Sequence, residues 1–321
     1  MSKLSPEFIY NYVSNYVVGQ EEAKVAVANA VFMHYVRWKH GITNNKQLKA
    51  SSILLTGPSG SGKTFLIRKA AEAVRSILGE DILPVLEIDC TQITAAGWKG
   101  NDIDQLLQEP YKTTCMENMA IFTSTILFFD EIDKLCGSGK SDVASFNRGT
   151  QYSLLKIVEG SDVQITVKKK AMTVNTGRML SIFAGNFPEV RKNRLDSART
   201  IGFIEPEKKE VSALDLHKEL QNAGLATQLV GRIAVVKELA PLSRKQLKTV
   251  LLKSSGSVYK EYQEIFEYMG YDLTLSDYLA NKIVDKCIAA GVGVRGLQVA
   301  LEEQLQKDIF KVTIDEEEEH D

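Results

Sequence analysis

The chain has 321 residues, 44% apolar and 25% charged, with a net charge of −2. That balance excludes a wholly disordered or fibrous protein, and the length predicts two domains or three. Six acidic residues crowd the tail Asp315–Asp321, which reads as a solvated end, and the near-neutral body gives no general argument for nucleic-acid binding.

Gly19 opens a helical pattern from Gln20 to about His40, with Ala23, Val27, Ala30, Val31 and Tyr35 at three- and four-residue spacing. Ser52–Thr56 reads as a short buried strand, followed by a Gly-rich loop and a helix from about Lys63 to Leu78. Val85–Asp89, Ile126–Phe129 and Met179–Ala184 are further buried-strand candidates, and Ile233–Val236 is a last one. Strands alternating with helices predict an α/β fold, a parallel sheet covered on both faces. Beyond a boundary near Lys237 the character turns helical. Ser243 and Gln246 form a capping box for a helix to about Ser254, and Tyr259–Met269, Ser276–Ala290 and Val294–Phe310 follow. The expected division is a large module over 1–236, a small helical module over 237–312 and a disordered acidic tail over 313–321. Gly137–Gly149 and Arg191–Glu210 are polar stretches read as long surface loops.

The longest apolar stretch, Val25–Met33, is broken by Asn29 and is shorter than the ~18 residues of a membrane span. Met1–Pro6 has no signal-peptide core, so the expected setting is soluble and cytoplasmic. Cys90, Cys115, Cys136 and Cys287 form no C-x-x-C pair, which predicts reduced thiols and no zinc.

Gly57-Pro58-Ser59-Gly60-Ser61-Gly62-Lys63-Thr64 matches G-x-x-x-x-G-K-[ST] between a predicted strand and a predicted helix. Glycines let successive N–H groups curl into an anion nest, and the helix N-terminus adds its positive end. Lys63 reaches the β- and γ-phosphates, and the Thr64 hydroxyl serves Mg²⁺. Ile126-Leu127-Phe128-Phe129-Asp130-Glu131 then delivers two carboxylates at a strand end. Asp130 suits Mg²⁺ as a hard oxygen ligand, and Glu131 suits a general base that polarises water. The expected chemistry is hydrolysis of ATP or a close relative.

Further motifs carry a resemblance. Tyr16–Lys24, Tyr152-Ser153-Leu154-Leu155-Lys156-Ile157-Val158-Glu159-Gly160, Val230-Gly231-Arg232 and Gly293-Val294-Arg295-Gly296-Leu297 occur in the order seen in AAA+ unfoldases of the ClpX/HslU type, over about Tyr10 to Phe310. The chain resembles that family, which implies an AAA+ P-loop NTPase module with a helical lid and a ring, usually a hexamer. By resemblance, Val17 and Val18 pack on adenine and Arg232 acts on a neighbour's γ-phosphate. Arg295 contacts phosphates in cis, and Asn186 takes the first-sensor position. The residues alone leave core valines and surface ion pairs open as readings.

Gly97-Trp98-Lys99-Gly100 lies where the family carries an aromatic pore loop, and Lys168-Lys169-Lys170 where ClpX has a basic entrance loop. Ile201-Gly202-Phe203 matches a loop tip that docks on ClpP-type peptidase. A Trp packed on its own domain, a solvated lysine face and a pinned loop are the plainer alternatives. The pattern departs from ClpX in having no zinc-binding C-x₂-C pairs and a shorter loop before Arg232. The expectation is a protein unfoldase with ATP and Mg²⁺, feeding a ClpP-type peptidase. A stand-alone remodeller and, less favoured, a nucleic-acid motor remain open.

Overall fold

The computed structural model describes residues 3–41, 52–79, 81–95, 102–136, 142–167, 170–188, 190 and 213–310. The pore-loop residues Gly97–Gly100, the Arg191–Glu210 stretch with Ile201–Phe203, and the acidic tail lie outside the described residues. Contacts divide the chain into two units. One comprises Met1–Val13, Glu21–Pro58 and Lys63–Leu239; the other comprises Ser14–Gln20, Ser59–Gly62 and Ala240–Asp321.

In the first unit, β1 (Ser52–Thr56), β2 (Val85–Asp89), β3 (Ile126–Asp130), β6 (Leu180–Gly185) and β7 (Ile233–Glu238) pair in parallel in the order β2-β3-β6-β1-β7. The three inner strands are buried almost throughout, which is why they read as continuous apolar runs. At the edges only Ile88 of β2 and Ile233 of β7 are buried. The described helices of this unit are α1 (Pro6–Ser14), α2 (Glu21–Lys39), α3 (Lys63–Leu78), α4 (Cys90–Ala95), α5 (Asp102–Thr113), α6 (Met119–Thr123), α7 (Asp142–Glu159), α8 (Ala213–Asn222) and α9 (Thr227–Val230).

Three features depart from the expectation. Helix α1 buries only Ile9 and Val13, too short a pattern to stand out. Gly137–Gly149 is not a loop throughout, because α7 begins at Asp142. Its buried side includes Asn147, Thr150 and Gln151, polar residues at helical spacing, so no apolar stripe marks it. An antiparallel hairpin of β4 (Asp162–Val167) and β5 (Lys170–Asn175) also went unpredicted; it is separate from the main sheet and buries Val163, Ile165 and Val174. Lys170 of the lysine run opens β5, and Lys168 and Lys169 lie outside the described residues.

His34 on α2 is buried, its Nε2–H donating to the Ser124 carbonyl at 2.7 Å. Burial pushes its pKa down from 6.5 to about 4, against the pull of that carbonyl and with help from the Arg37 charge. The folded imidazole therefore stays neutral where the unfolded one protonates. Stability is full above about pH 6.5 and is lost as pH falls toward 4. The loss should approach ~3 kcal/mol at most. Urea melts at pH 7 and pH 4.5 check this, and His34→Gln should flatten the pH slope. An equal slope in the variant would remove His34 as its source.

The second unit packs α10 (Arg244–Leu252), α11 (Val258–Tyr268), α12 (Asp277–Ala289) and α13 (Arg295–Ile309). Each agrees with its predicted helix to within about two residues. Ser243 and Gln246 form the expected capping box, and Ser257 and Ser276 cap the next two helices. Leu247, Leu251, Ile283, Val284, Leu297 and Leu301 build the core. Ser14–Gln20 is held to these helices by Ser255 N donating to Asn15 O at 3.1 Å. Gln20 adds paired bonds to the Ala240 backbone at 2.8 and 3.1 Å.

Candidate active site

Because β1, β3 and β6 run parallel side by side, their carboxyl ends finish on one edge of the sheet, where ligands of open α/β sheets bind. The phosphate loop leaves β1 there, Asp130 and Glu131 end β3, and Asn186 follows β6. Gly57 N donates to Gly185 O at 3.0 Å, joining the start of the loop to the end of β6.

Within the first unit, Lys63 Nζ donates to the carbonyls of Gly57 (2.9 Å) and Pro58 (3.0 Å). The ammonium is thus held over the mouth of the loop. Thr64 Oγ1 donates to Asp130 Oδ2 at 3.3 Å, which puts a hydroxyl and a carboxylate together as hard oxygen donors. Asp130 Oδ1 accepts from the backbone N–H of Glu131 at 2.8 Å. Glu131 is exposed and left-handed, at φ +56°, a conformation costly for a residue with a Cβ. Asn186 N donates to Asp133 Oδ1 at 3.1 Å, so the short helical turn after β3 holds the backbone at the end of β6. Burial pushes the Cys90 thiol up, with the charges of Asp89, Asp130, Asp133 and Glu131 adding to it, so this cysteine stays protonated and inert.

Within the second unit, Ser59–Gly62 of the loop meet the start of α13. Arg295 Nη1 donates to Ser59 Oγ at 2.9 Å. Gly60 has φ +74°, and a Cβ there would come within 2.7 Å of the Val292 carbonyl oxygen, so only glycine fits. The Ser61 hydroxyl is buried with no hydrogen-bond partner, an orphaned polar atom in a Gly-rich loop. A phosphate oxygen is the partner such a hydroxyl lacks. Val17 is buried and Val18 half-buried in the Ser14–Gln20 segment of this unit.

Arg232 follows α9 and donates through Nε to Glu159 Oε1 at 2.9 Å, with Nη2 on the same oxygen. Sequence reasoning passed over Asp133 and Gln151, and it quoted Glu159 without assigning it a role. The motif Tyr152–Gly160 was the signal available for Glu159, and none was available for Gln151.

A family model, the AAA domain (Cdc48 subfamily), matches residues 48–236. An ATP-dependent Clp protease ATP-binding subunit ClpX 2 of Wolinella succinogenes is 30% identical over 324 residues, covering 97% of this chain and 79% of that one. ClpX of Bacteroides fragilis is 29% identical over 98% of this chain and 79% of its own. ClpX of Azotobacter vinelandii is 30% identical, with 92% and 71% covered. The chain belongs to the AAA+ ATPases of the ClpX type. As an AAA+ ATPase it binds nucleotide. Among the described residues no helix is long and apolar enough to cross a membrane.

Proposed function

We propose that this ATPase is a ring-forming protein unfoldase and translocase, working in the cytoplasm as the ATPase partner of a ClpP-type peptidase. The observation that carries the reading is the meeting of Lys63, Thr64, Asp130 and Glu131 at one sheet edge, in a chain 30% identical to a ClpX over nearly its whole length. Gly57, Ser59, Gly60, Ser61 and Gly62 would offer their N–H groups to the phosphates, Pro58 would shape the turn without donating, and Lys63 would neutralise the β- and γ-phosphates. Thr64 and Asp130 fit Mg²⁺, which supplies charge neutralisation on the phosphate oxygens. Among the described residues no group of three or more His, Cys, Asp or Glu side chains forms a metal cage. That suits an ion which keeps waters and phosphate oxygens as most of its ligands.

Glu131 accepts the proton of the attacking water, and Asn186 orients that water. Arg295 senses the nucleotide in its own subunit, and Arg232 acts on the neighbour's in a hexamer. Val17 and Val18 hold the adenine. Gly97-Trp98-Lys99-Gly100 grips substrate polypeptide, and Ile201-Gly202-Phe203 docks on the peptidase.

The test supplies ATP, a tagged fluorescent protein and a ClpP-type peptidase. The parent should destroy fluorescence and release peptides. Trp98→Ala should keep its ATPase and unfold at least roughly tenfold more slowly, since apolar grip of ~1.5–3 kcal/mol is lost. Unfolding without peptide release would point to a stand-alone remodeller. Stimulation of ATPase by DNA and not by unfolded protein would overturn the reading.

A further inference from the structure

Helix α7 touches both the carboxylate edge of the first unit and the turn that carries Arg232, and the function above gives it no role. Gln151 is 3% exposed. Its Nε2 donates to Leu135 O at 2.9 Å, four residues past Glu131, and to Gly224 O at 3.2 Å. Its Oε1 accepts from Ala226 N at 2.6 Å, at the N-cap of α9. One side chain thus joins the turn after β3 to the base of the segment that ends in Arg232. Two turns along the same helix, Glu159 receives the Arg232 guanidinium through Nε and Nη2.

The position of Glu159 is itself fixed. Gly160, at φ +90°, packs so closely that a Cβ would lie 3.0 Å from Gly177 Cα. Thr176, buried, donates its hydroxyl to Ile157 O at 2.8 Å and accepts from Ser161 N at 3.0 Å. The helix end is therefore clamped on the β5–β6 connection. The ion pair is of another kind. Arg232 is 39% and Glu159 37% exposed, so the pair is worth little as stability. It can yield to a phosphate, yet until then it narrows the rotamers of a long, otherwise flexible side chain.

We infer that Glu159 and Gln151 are positioning residues for Arg232: Gln151 sets the turn, and Glu159 aims the guanidinium for a neighbour's nucleotide. The proposal rests on the reading of Arg232 as acting in trans. It adds a continuous set of contacts between a subunit's own carboxylates and the arginine it presents.

The test uses the full chain carrying Glu159→Ala, Glu159→Gln or Gln151→Met. Each variant is assayed alone and mixed with excess Glu131→Gln chains, which keep a normal Arg232 but no base. Alone, each variant should lose ATPase roughly tenfold or more, as misplaced catalytic groups do, while its affinity for a fluorescent ATP analogue stays within about twofold because its own phosphate loop is untouched. Mixed, activity should return, because the variant's intact base now faces a well-aimed arginine. An unchanged ATPase alone, or a loss that mixing does not restore, overturns the proposal. Glu159→Gln is exposed and conservative, so the question stands even if Gln151→Met folds poorly. An Arg232→Ala and Glu131→Gln mixture runs in parallel. If it too stays inactive, the trans reading itself fails; if it recovers and the others do not, only this inference fails.

Discussion

Glu131→Gln is expected to bind nucleotide as the parent does while turnover falls by roughly 10²–10⁴-fold, the usual worth of a positioned general base. The substitution keeps side-chain length and leaves the backbone bond from residue 131 to Asp130 Oδ1 in place. Lys63, Thr64 and Asp130 keep their contacts, so binding has no reason to weaken. Titration with a fluorescent nucleotide gives the affinity, and phosphate release gives the rate. A variant that hydrolyses at the parent rate would remove Glu131 from the role of base.

Phe183→Ala should cost ~3–5 kcal/mol of folding stability, the range for deleting a fully buried aromatic ring. Phe183 on β6 and Phe129 on β3 are register partners, both 0% exposed, with ring centroids 5.1 Å apart and nearly parallel planes. Removing one ring leaves a cavity between the strand that ends in Asp130 and the strand that leads to Asn186. Urea unfolding measures the loss, and Phe183→Leu should recover much of it because it restores volume. ATPase should fall with the folded fraction, not ahead of it. A shift under about 1 kcal/mol would mean that the two strands are held chiefly by other contacts.

Strand β1 and helix α3 were legible because both follow from short-range signals, a continuous apolar run and a loop motif with fixed spacing. The inner strands were legible for the same reason. Helix α7 was hidden as far as Gln151 because Asn147, Thr150 and Gln151 face inward, and hydrogen bonds satisfy them where apolar side chains usually sit. The β4–β5 hairpin was hidden because its alternation is brief and its lysine run dominates the pattern. At the site, the phosphate loop and its carboxylates announced themselves. Arg232 and Arg295 did not, because their partners lie 73 and 236 positions away in sequence. Only the order of motifs in a resembling family singled them out, and no motif gave Gln151 a role.

The three-part make-up of the second unit bears on how this chain can be cut and recombined. Residues 240–321 supply its helices, but Asn15, Gln20 and Gly60 supply bonds and contacts that those helices use. A single break near residue 240 would strand two of the three pieces on the other fragment. The helical unit is therefore not a cassette. Exchange with a relative by one crossover would pair helices from one parent with an entry segment and phosphate loop from the other. Lineages that trade this unit must either trade Ser14–Gln20 and Ser59–Gly62 with it or evolve the parts in step.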